Sequence, residues 1–295
     1  MRLVKILNAV KSVVSLPGRI DNQDNRLAVL STNLDNLRTE FEARLLAQTA
    51  SSSLNLRERI GLRISREAAR NSRKARPAAA RDMQADLKEL GRLFPNVFPI
   101  WSKLFENAKI EYSERPNESL SVAGNSGAEL FRKYLLAELS GHVLDIGCGP
   151  LPLPHYLVGQ NVDRIAGIDP LPGSGHREFE FFQGFAEFLP WPDSEFDAVT
   201  IATSLDHVLS LDMVFAEINR VLVPDGVVAM WVGFVEGAKE YDPLAENVVP
   251  IDPFHIFHFD RPWFLKLINK YFVVCDELVI DSVSVFYSLK PRPKK

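Results

Sequence analysis

Short apolar runs and amphipathic segments alternate along the C-terminal part of this 295-residue chain. Continuous apolar runs of about four to eight residues are typical of strands that are covered on both faces. Such runs follow one another at 143–146, 164–168, 179–183, 198–202 and 227–232. Two strands of alternating polarity come last, at 272–279 and 282–289, and a tight turn at Ile280-Asp281 joins them. The pattern predicts an α/β fold with a seven-stranded sheet that carries helices on both faces.

Helices are predicted where apolar positions recur every three or four residues. Such segments lie at 83–93, 98–105, 129–139, 213–222 and 261–271. Residues 171–176, between the second and third strands, are rich in proline and glycine and leave little room for a helix. Gly91 and Pro95 end the first of these helices, and we place a domain boundary there. The chain is thereby divided into a helical module, residues 1–95, and an α/β domain, residues 96–295.

The N-terminal module has three kinds of segment. Residues 2–16 have an apolar and a lysine-bearing face, which predicts an amphipathic helix that either lies on anionic lipid or packs on a partner helix. Residues 20–48 follow a heptad pattern, and the a positions are Ile20, Leu27, Leu34 and Phe41. This predicts a short coiled coil and a homo-oligomer, or else a helix folded back on its own chain. The basic run 57–76 is either a solvated helix face or linker, or a contact for phosphate, acidic glycan or lipid headgroups.

Composition and charge exclude several classes of protein. The chain has two cysteines, so a disulfide framework is not predicted. No apolar run approaches the roughly 18 residues that a membrane-spanning helix needs. We therefore predict a cytoplasmic protein, with peripheral contact at the inner face of the membrane through the first helix. Residues 1–92 hold 18 of the 34 basic and 10 of the 38 acidic residues, so the remainder is acidic, which argues against a nucleic-acid substrate.

The most informative motif is H-V-L-D-I-G-C-G at 142–149, where a buried strand leads into a glycine loop. Gly147 and Gly149 permit backbone angles and a close ligand approach that a Cβ atom would prevent. The next apolar strand ends in Asp169, 24 residues after Asp145. An acid at that position can accept hydrogen bonds from both hydroxyls of a ribose. The motif therefore predicts a nucleotide-like ligand at the carboxyl ends of these strands.

Further motifs follow in a characteristic order. They are G-F-A-E-F-L-P-W-P-D-S-E-F-D at 184–197, the strand 198–202, S-L-D-H at 204–207, and a helix that runs into Pro224-Asp225-Gly226. This order resembles that of class I S-adenosylmethionine-dependent methyltransferases, specifically the type-11 group that includes quinone-biosynthesis enzymes. The resemblance covers residues 141–233. It implies a Rossmann-like fold and S-adenosylmethionine as the cofactor.

The resemblance also implies the cofactor-binding residues. Asp145 would hydrogen-bond near the amino-acid portion, directly or through water, and the glycine backbones would line the same end. Asp169 would hold the ribose hydroxyls, and the 185–187 segment would lie near the adenine. The end of the fourth strand would flank the methionine moiety and the methyl group. The predicted set is Asp145, Gly147, Gly149, Asp169, Phe185, Ala186, Glu187, Ala202 and Thr203. Two departures from the family pattern stand out: Leu151-Pro152 replaces a third glycine, and Phe185 replaces a common aspartate. Adenine is therefore expected to pack on the Phe185 ring, and Tyr112 and the loop 119–127 are the predicted lid.

Three histidines are the candidate general bases. A hydroxyl acceptor must lose a proton during methyl transfer, and histidine is suited to accept it near neutral pH. His207 matches the position of a histidine that is frequent in the type-11 methyltransferases that this chain resembles. His255 and His258 lie in the segment F-H-I-F-H-F-D, where Asp260 could orient one of them. The spacing of His255 and His258 also resembles that of metal ligands. No further cysteine or histidine cluster completes such a site, so no metal is predicted.

The acceptor is predicted from weaker signals. Aromatic residues around the segment 233–260 could stack on a sugar ring or a quinone, or could be plain core. The glycine-cysteine-glycine-proline loop, the histidine-phenylalanine-aspartate segment and the helical extension resemble bacterial surface-glycan methyltransferases. We therefore predict O-methylation of a glycan or small metabolite. Two alternatives remain: a degenerate methyltransferase fold that acts as a scaffold, and a nicotinamide-dependent oxidoreductase, against which the terminal antiparallel strands count.

Overall fold

One seven-stranded sheet organises the part of the chain that the computed structural model describes, residues 76–173 and 175–292. Three helices precede the sheet: α1 (Met83–Leu93), α2 (Phe98–Glu114) and α3 (Ser126–Glu138). The first four strands are β1 (Val143–Ile146), β2 (Ile165–Asp169), β3 (Glu180–Gln183) and β4 (Phe196–Ala202). Then follow α4 (Leu211–Val221), β5 (Leu222–Gly233), α5 (Arg261–Ile268), β6 (Phe272–Val279) and β7 (Ser284–Pro291).

The strand order is β3-β2-β1-β4-β5-β7-β6. The first five strands run parallel to one another, and β7 pairs antiparallel with both β5 and β6. The predicted seven strands and the closing antiparallel pair are thus confirmed. Strand order reverses next to β1, because the chain first builds outward to β3 and then returns to β4. In open α/β sheets this reversal point is where ligands bind.

Helices lie on both faces of the sheet, as predicted. Met230 and Trp231 are neighbours in β5, so their side chains point to opposite faces. On one face the α3 ring of Phe131 lies 5.9 Å from the ring of Trp231 and 4.9 Å from that of Phe286. On the other face Met230 joins a hydrophobic cluster that includes Phe215 of α4. The sheet is therefore buried between two helical layers, which explains its continuous apolar strands.

Loops and short 3₁₀ turns replace the usual crossover helices on either side of β2. Between β1 and β2 the chain forms only the 3₁₀ turns His155–Leu157 and Val162–Arg164. Proline cannot donate a backbone hydrogen bond, so the Leu151-Pro152 departure is consistent with the loss of a regular helix here. Between β2 and β3 no helix forms in the described residues, as the proline- and glycine-rich sequence predicted. The ligand-binding edge is thus built from loops.

Some element boundaries differ from the prediction. The helix predicted at 98–105 continues to Glu114, although its buried residues are Trp101, Leu104 and Phe105. Pro224-Asp225-Gly226 does not separate helix from strand as predicted but lies inside β5, at an irregularity in its pairing with β4. α2 thus continues beyond its buried residues, and β5 has two exposed residues, Pro224 and Asp225, between two buried stretches.

The sheet domain extends further towards the N-terminus than the boundary predicted near residue 95. Leu90 of α1 is fully buried in the same cluster as the sheet. Arg76 donates a 2.7 Å hydrogen bond to the buried carboxylate of Glu195, and the amide of Ala79 donates to the carbonyl of Pro190. Residues from Arg76 onward therefore pack as part of the α/β domain.

The predicted amphipathic helix, coiled coil and most of the basic run lie outside the described residues. Within residues 76–173 and 175–292, none of the helices has the length and apolar character that crossing a bilayer requires. The predicted oligomer and membrane contact therefore stay predictions.

Candidate active site

A cavity of about 550 Å³ opens at the carboxyl ends of β1, β2 and β4. This volume lies within the range of about 300–1,000 Å³ that small-molecule sites occupy. Most of the residues that the sequence predicted for the site line this cavity. They are Gly147, Gly149, Asp169, Phe185, Ala186, Glu187, Ala202, Thr203, His207 and His255. Two predicted residues, Asp145 and His258, lie behind its wall.

The glycine loop after β1 is closely packed beneath the cavity. Gly147 has φ +71°, and its amide donates a 2.8 Å hydrogen bond to the carbonyl of Ile168. A Cβ atom at Gly147 would lie 2.2 Å from Oγ of Ser204, whose hydroxyl donates to the carbonyl of Ile146. Only glycine satisfies both the left-handed backbone and this close approach.

Asp169 connects the glycine loop to the end of β2. Its Oδ2 accepts a 2.8 Å hydrogen bond from the amide of Gly149, and its Oδ1 accepts one of 2.8 Å from Leu171. Burial raises the pKa of Asp169, while these two amide donors and nearby Arg177 act against the rise. Each carboxylate oxygen keeps a further lone pair, so Asp169 can accept two more hydrogen bonds from a ligand.

Arg177 holds the loop in place of the missing helix. Its guanidinium donates to the carbonyls of Leu151 and Gly149, the latter at 2.7 Å. The same group lies 4.3 Å from the ring centroid of Phe181, within the range of a cation–π contact. The side chain is 8% exposed. The stiff Leu151-Pro152 loop is therefore anchored by one buried cation.

Asp145, which is predicted to bind near the amino-acid portion directly or through water, lies behind the residues that line the cavity. It is fully buried on the α3 face of the sheet, and its two carboxylate oxygens accept hydrogen bonds of 3.2 and 3.0 Å from the Tyr156 hydroxyl. Tyr156 itself lines the cavity. Burial raises the pKa of Asp145 to about 8, although the Tyr156 hydrogen bond opposes the rise. Asp145 is therefore linked to the cavity through the side chain of Tyr156.

Aromatic rings form one wall of the cavity around Phe185. The ring of Phe185 makes edge contacts with Trp101 at 5.6 Å and with Phe105 at 5.8 Å. This arrangement agrees with the expected apolar packing surface at the position of the family aspartate. Glu187 also lines the cavity, but its Oε1 accepts hydrogen bonds from the amides of Leu209 and Ser210. Glu187 thereby fixes the chain at the start of α4.

Thr203 follows β4 in a left-handed backbone conformation, with φ +53°. Its amide donates a 2.9 Å hydrogen bond to the carbonyl of Trp231 in the neighbouring strand. A β-branched residue with positive φ is a strained outlier, and such strain concentrates at functional sites. The turn directs the chain from Ala202 into the segment that carries His207.

Three histidines and two aspartates form a cluster at the other side of the cavity. His255 Nδ1 lies 2.8 Å from Asp252 Oδ2, and His255 Nε2 lies 3.8 Å from Asp206 Oδ2. His258 lies 3.9 Å from Asp206 and 3.6 Å from Asp252. The ring of His207 is 4.4 Å from that of His255. The three histidines predicted from the sequence are therefore brought together. Asp260, the predicted orienting residue, instead accepts a hydrogen bond from the amide of Gly237.

The cluster shifts the pKa values of its members in different directions. Burial lowers the pKa of His207, against the attraction of Asp206. Asp206 raises the pKa of His258. Burial alone would raise the pKa of Asp206, but the three neighbouring imidazoles lower it overall. The site thus holds a neutral imidazole beside a carboxylate that stays ionised.

Four residues that contribute to the site were not predicted from the sequence: Asp206, Asp252, Tyr156 and Arg177. Asp206 stands inside the S-L-D-H motif, and Asp252 lies three residues before His255, so local spacing was an available signal for both. Tyr156 and Arg177 reach the site through loops that have no periodic pattern, and their positions depend on the missing helices.

The predicted lid and aromatic segment contribute in part. Tyr112 and residues 119–121 line the cavity, whereas residues 122–127 do not. The aromatic segment divides in the same way. Three of its residues line the cavity, namely Trp231, Phe254 and Phe259, while Phe234, Phe257 and Trp263 are buried in the core.

Comparisons with known proteins agree with this geometry. Residues 144–230 match the methyltransferase type-11 family, described as a methyltransferase domain. The ubiquinone/menaquinone biosynthesis C-methyltransferase UbiE of Methylobacterium nodulans is 34% identical over 128 residues, which are 43% of this chain and 46% of that protein. The sterol 24-C-methyltransferase ERG6B of Gibberella zeae is 27% identical over 169 residues, 52% of this chain and 42% of that protein. The chain therefore spans less than half the length of these two curated relatives.

A solved structure shares the fold. The 1,6-didemethyltoxoflavin-N1-methyltransferase of Burkholderia thailandensis, with bound 1,6-didemethyltoxoflavin and S-adenosylhomocysteine, matches with a TM-score of 0.50 at 14% identity. The match covers 74% of this chain and 94% of that chain.

Proposed function

We propose that the chain is a class I S-adenosylmethionine-dependent methyltransferase that methylates a hydroxylated acceptor inside the cavity, and the match of residues 144–230 to a methyltransferase domain supports this. One observation carries the proposal. Asp169, at the end of β2, lines the same cavity as three members of the histidine–aspartate cluster, Asp206, His207 and His255. A ribose-binding carboxylate and a group of proton acceptors thus face one enclosed space, as a transfer between two bound molecules requires.

The residues present fit S-adenosylmethionine. Gly147 and Gly149 form a backbone cradle, and a side chain at Gly147 would collide with Ser204. Asp169 keeps free lone pairs for the two ribose hydroxyls. The Phe185 ring and the backbone of Ala186 offer the apolar surface that an adenine needs.

We assign the remaining predicted residues to the methionine end. Ala202 and Thr203 lie at the end of β4, where the strained turn brings backbone groups to the cavity. Tyr156 lines the cavity with its hydroxyl on Asp145, so Asp145 is a positioning residue for Tyr156. Glu187 positions the segment that leads into α4.

The chain's own groups then act on the acceptor. When bound, S-adenosylmethionine supplies a methyl group on a cationic sulfur, which keeps the electron pair of the broken carbon–sulfur bond. The acceptor hydroxyl must lose its proton as its oxygen forms the new bond to carbon. His207, His255 and His258, with their two aspartates, are the groups placed to activate that hydroxyl and to pass the proton to solvent.

The cavity favours an acceptor with an apolar ring. Trp231, Phe254 and Phe259 line it beside further apolar side chains, and such surfaces bind flat rings by stacking and burial. We therefore propose O-methylation of a hydroxylated ring compound, and a sugar hydroxyl of a glycan remains within this proposal. C-methylation is the second candidate, because UbiE and ERG6B are named as C-methyltransferases. A phenolate or enolate formed at the cluster could accept the methyl group on carbon.

The test is an acceptor screen with methyl-labelled S-adenosylmethionine. The full chain is incubated with phenols, quinols and nucleotide sugars, and mass spectrometry detects labelled products and S-adenosylhomocysteine. Asp169→Ala should lower the affinity for S-adenosylhomocysteine at least about 100-fold, because two hydrogen bonds to a charged group are lost, each of about 1.5–3 kcal/mol. Asp163→Ala, at an exposed aspartate in the loop before β2, is the matched control.

Nuclear magnetic resonance of the product then locates the methyl group on oxygen or on carbon. A labelled phenol ether or sugar ether supports the main proposal, and a carbon-bound methyl group supports the second candidate. Absence of both labelled product and S-adenosylhomocysteine binding would favour the scaffold alternative.

A further inference from the structure

The polar side of the cavity holds more ligating groups than proton transfer needs. Asp206 and His207 come from the 3₁₀ turn Leu205–His207 after β4. Asp252, His255 and His258 come from the long segment before α5. Segments separated by about 45 residues of sequence thus place five imidazole and carboxylate groups at one point.

Asp206, His207 and His255 form one compact set of donors. One ligand atom from each lies within 4.8 Å of the others. All three residues are half-buried and line the cavity. Two imidazoles and one carboxylate are a common ligand set for divalent transition metals and leave coordination positions open to substrate.

Asp252 gives this set an orienting partner. Its carboxylate oxygens lie 2.9 and 2.8 Å from Nδ1 of His255. An ionised carboxylate can only accept, so Nδ1 carries the proton and Nε2 presents its lone pair. Nε2 is the atom nearest to Asp206, at 3.8 Å. A carboxylate behind the imidazole is the arrangement that fixes metal-ligating histidines in proteins.

We propose that Asp206, His207 and His255 bind one divalent transition-metal ion, with its open position towards the cavity. Ligand atoms at about 2.0–2.2 Å from such an ion lie roughly 3.0–3.5 Å from one another. The ligand atoms lie within 4.8 Å of one another, so ion binding requires side-chain rotations that bring them closer together. Nitrogen and oxygen donors of this kind suit Zn²⁺, Mn²⁺, Fe²⁺ or Co²⁺ better than Mg²⁺.

This inference rests on the proposed function in one respect, the role of the ion. An acceptor hydroxyl that fills the open position would have its pKa lowered by the cation and would release its proton to solvent. The histidines would then activate the acceptor through the ion. Ion binding itself is independent of methyl transfer and can be measured without an acceptor.

The experiment titrates the full chain with Co²⁺ at pH 7.5, by calorimetry and by visible absorption of the bound ion. We expect one equivalent of Co²⁺ to bind. The bound ion should show d–d absorption bands and no sulfur-to-metal charge-transfer band, because its ligands are nitrogen and oxygen atoms. His207→Ala and His255→Ala should weaken binding at least about 100-fold, and Asp252→Asn about 10- to 100-fold. His258→Ala and the exposed His176→Ala should change it less than about threefold.

Three results would overturn the proposal: no saturable binding of one equivalent, binding that survives His255→Ala, or binding that depends on His258 but not on His207. The last result would assign the ion to Asp252, His255 and His258, whose ligand atoms also lie within 4.8 Å of one another. S-adenosylhomocysteine affinity is measured in the same preparations, and the exposed control His176→Ala should leave it within about threefold. If the unmodified chain did not bind S-adenosylhomocysteine, the proposed function would be contradicted, but the metal-binding result would still be valid.

Discussion

The buried carboxyl of Asp145 makes the stability of the domain depend on pH. Burial raises its pKa from the ordinary value of 3.8 to about 8, against the hydrogen bond from Tyr156 and with a further rise from Asp169. A raised folded-state pKa means that the folded chain binds the proton more tightly than the unfolded chain. The contribution to stability is therefore complete below about pH 4 and is lost progressively as the pH rises to about 8.

The magnitude follows from one proton per molecule. Between the two pKa values, the free energy of unfolding falls by about 1.4 kcal/mol for each pH unit. From pH 5 to pH 7 this amounts to about 2.7 kcal/mol. Asp145→Asn keeps the shape and a hydrogen-bond acceptor for Tyr156 but cannot ionise, so it removes this component.

Urea unfolding of the full chain and of Asp145→Asn, at pH 5, 6 and 7 without ligand, measures the difference. We expect the variant to gain stability relative to the parent by about 1.4 kcal/mol with each unit. Asp163→Asn, at an exposed aspartate, serves as the matched substitution. Parallel pH dependences for the parent and Asp145→Asn would show that Asp145 is already ionised in the folded chain, and the reasoning from burial would fail.

Three further predictions concern the glycine loop. Arg177→Met removes two charged hydrogen bonds and a ring contact, and should lower the free energy of unfolding by about 2–4 kcal/mol and weaken S-adenosylhomocysteine binding in calorimetry. Gly147→Ala should lower the melting temperature. Adding Ser204→Gly to that variant should relieve the steric clash with the Ser204 side chain, so that a destabilisation of about 1 kcal/mol from the left-handed backbone remains. A thiol reagent should modify exposed Cys275 in the folded protein and reach Cys148 only after unfolding, because burial raises the pKa of the Cys148 thiol.

The sheet was predictable because its strands are continuous apolar runs with clear ends. The first strand was predicted at 143–146 and is observed as Val143–Ile146, since Gly147 cannot continue it. Asp169 was predictable for the same reason, because the residue that ends a parallel strand lies at the ligand-binding edge. The face on which Asp145 lies was also predictable, because side chains alternate along a strand. Asp145 therefore shares a face with Val143, opposite Leu144 and Ile146.

The loops were less predictable, because no periodic pattern determines their path. Arg177 reaches the glycine loop from a connection between β2 and β3 whose described residues form no helix. The histidines were found by residue type, but their meeting with Asp206 and Asp252 depends on how the segment before α5 folds over the cavity. The prediction that no metal binds rested on spacing along the chain, and such spacing does not show that two distant loops bring Asp206, His207 and His255 together.

The central claim is that the cavity binds S-adenosylmethionine, and calorimetric titration with S-adenosylhomocysteine tests it most directly. The full chain is titrated with S-adenosylhomocysteine and, as the control ligand, with NAD. We predict one site of about micromolar affinity for S-adenosylhomocysteine and no binding of NAD. Binding of NAD alone, or of neither ligand, would contradict the assignment of Asp169 and the glycine loop to this cofactor.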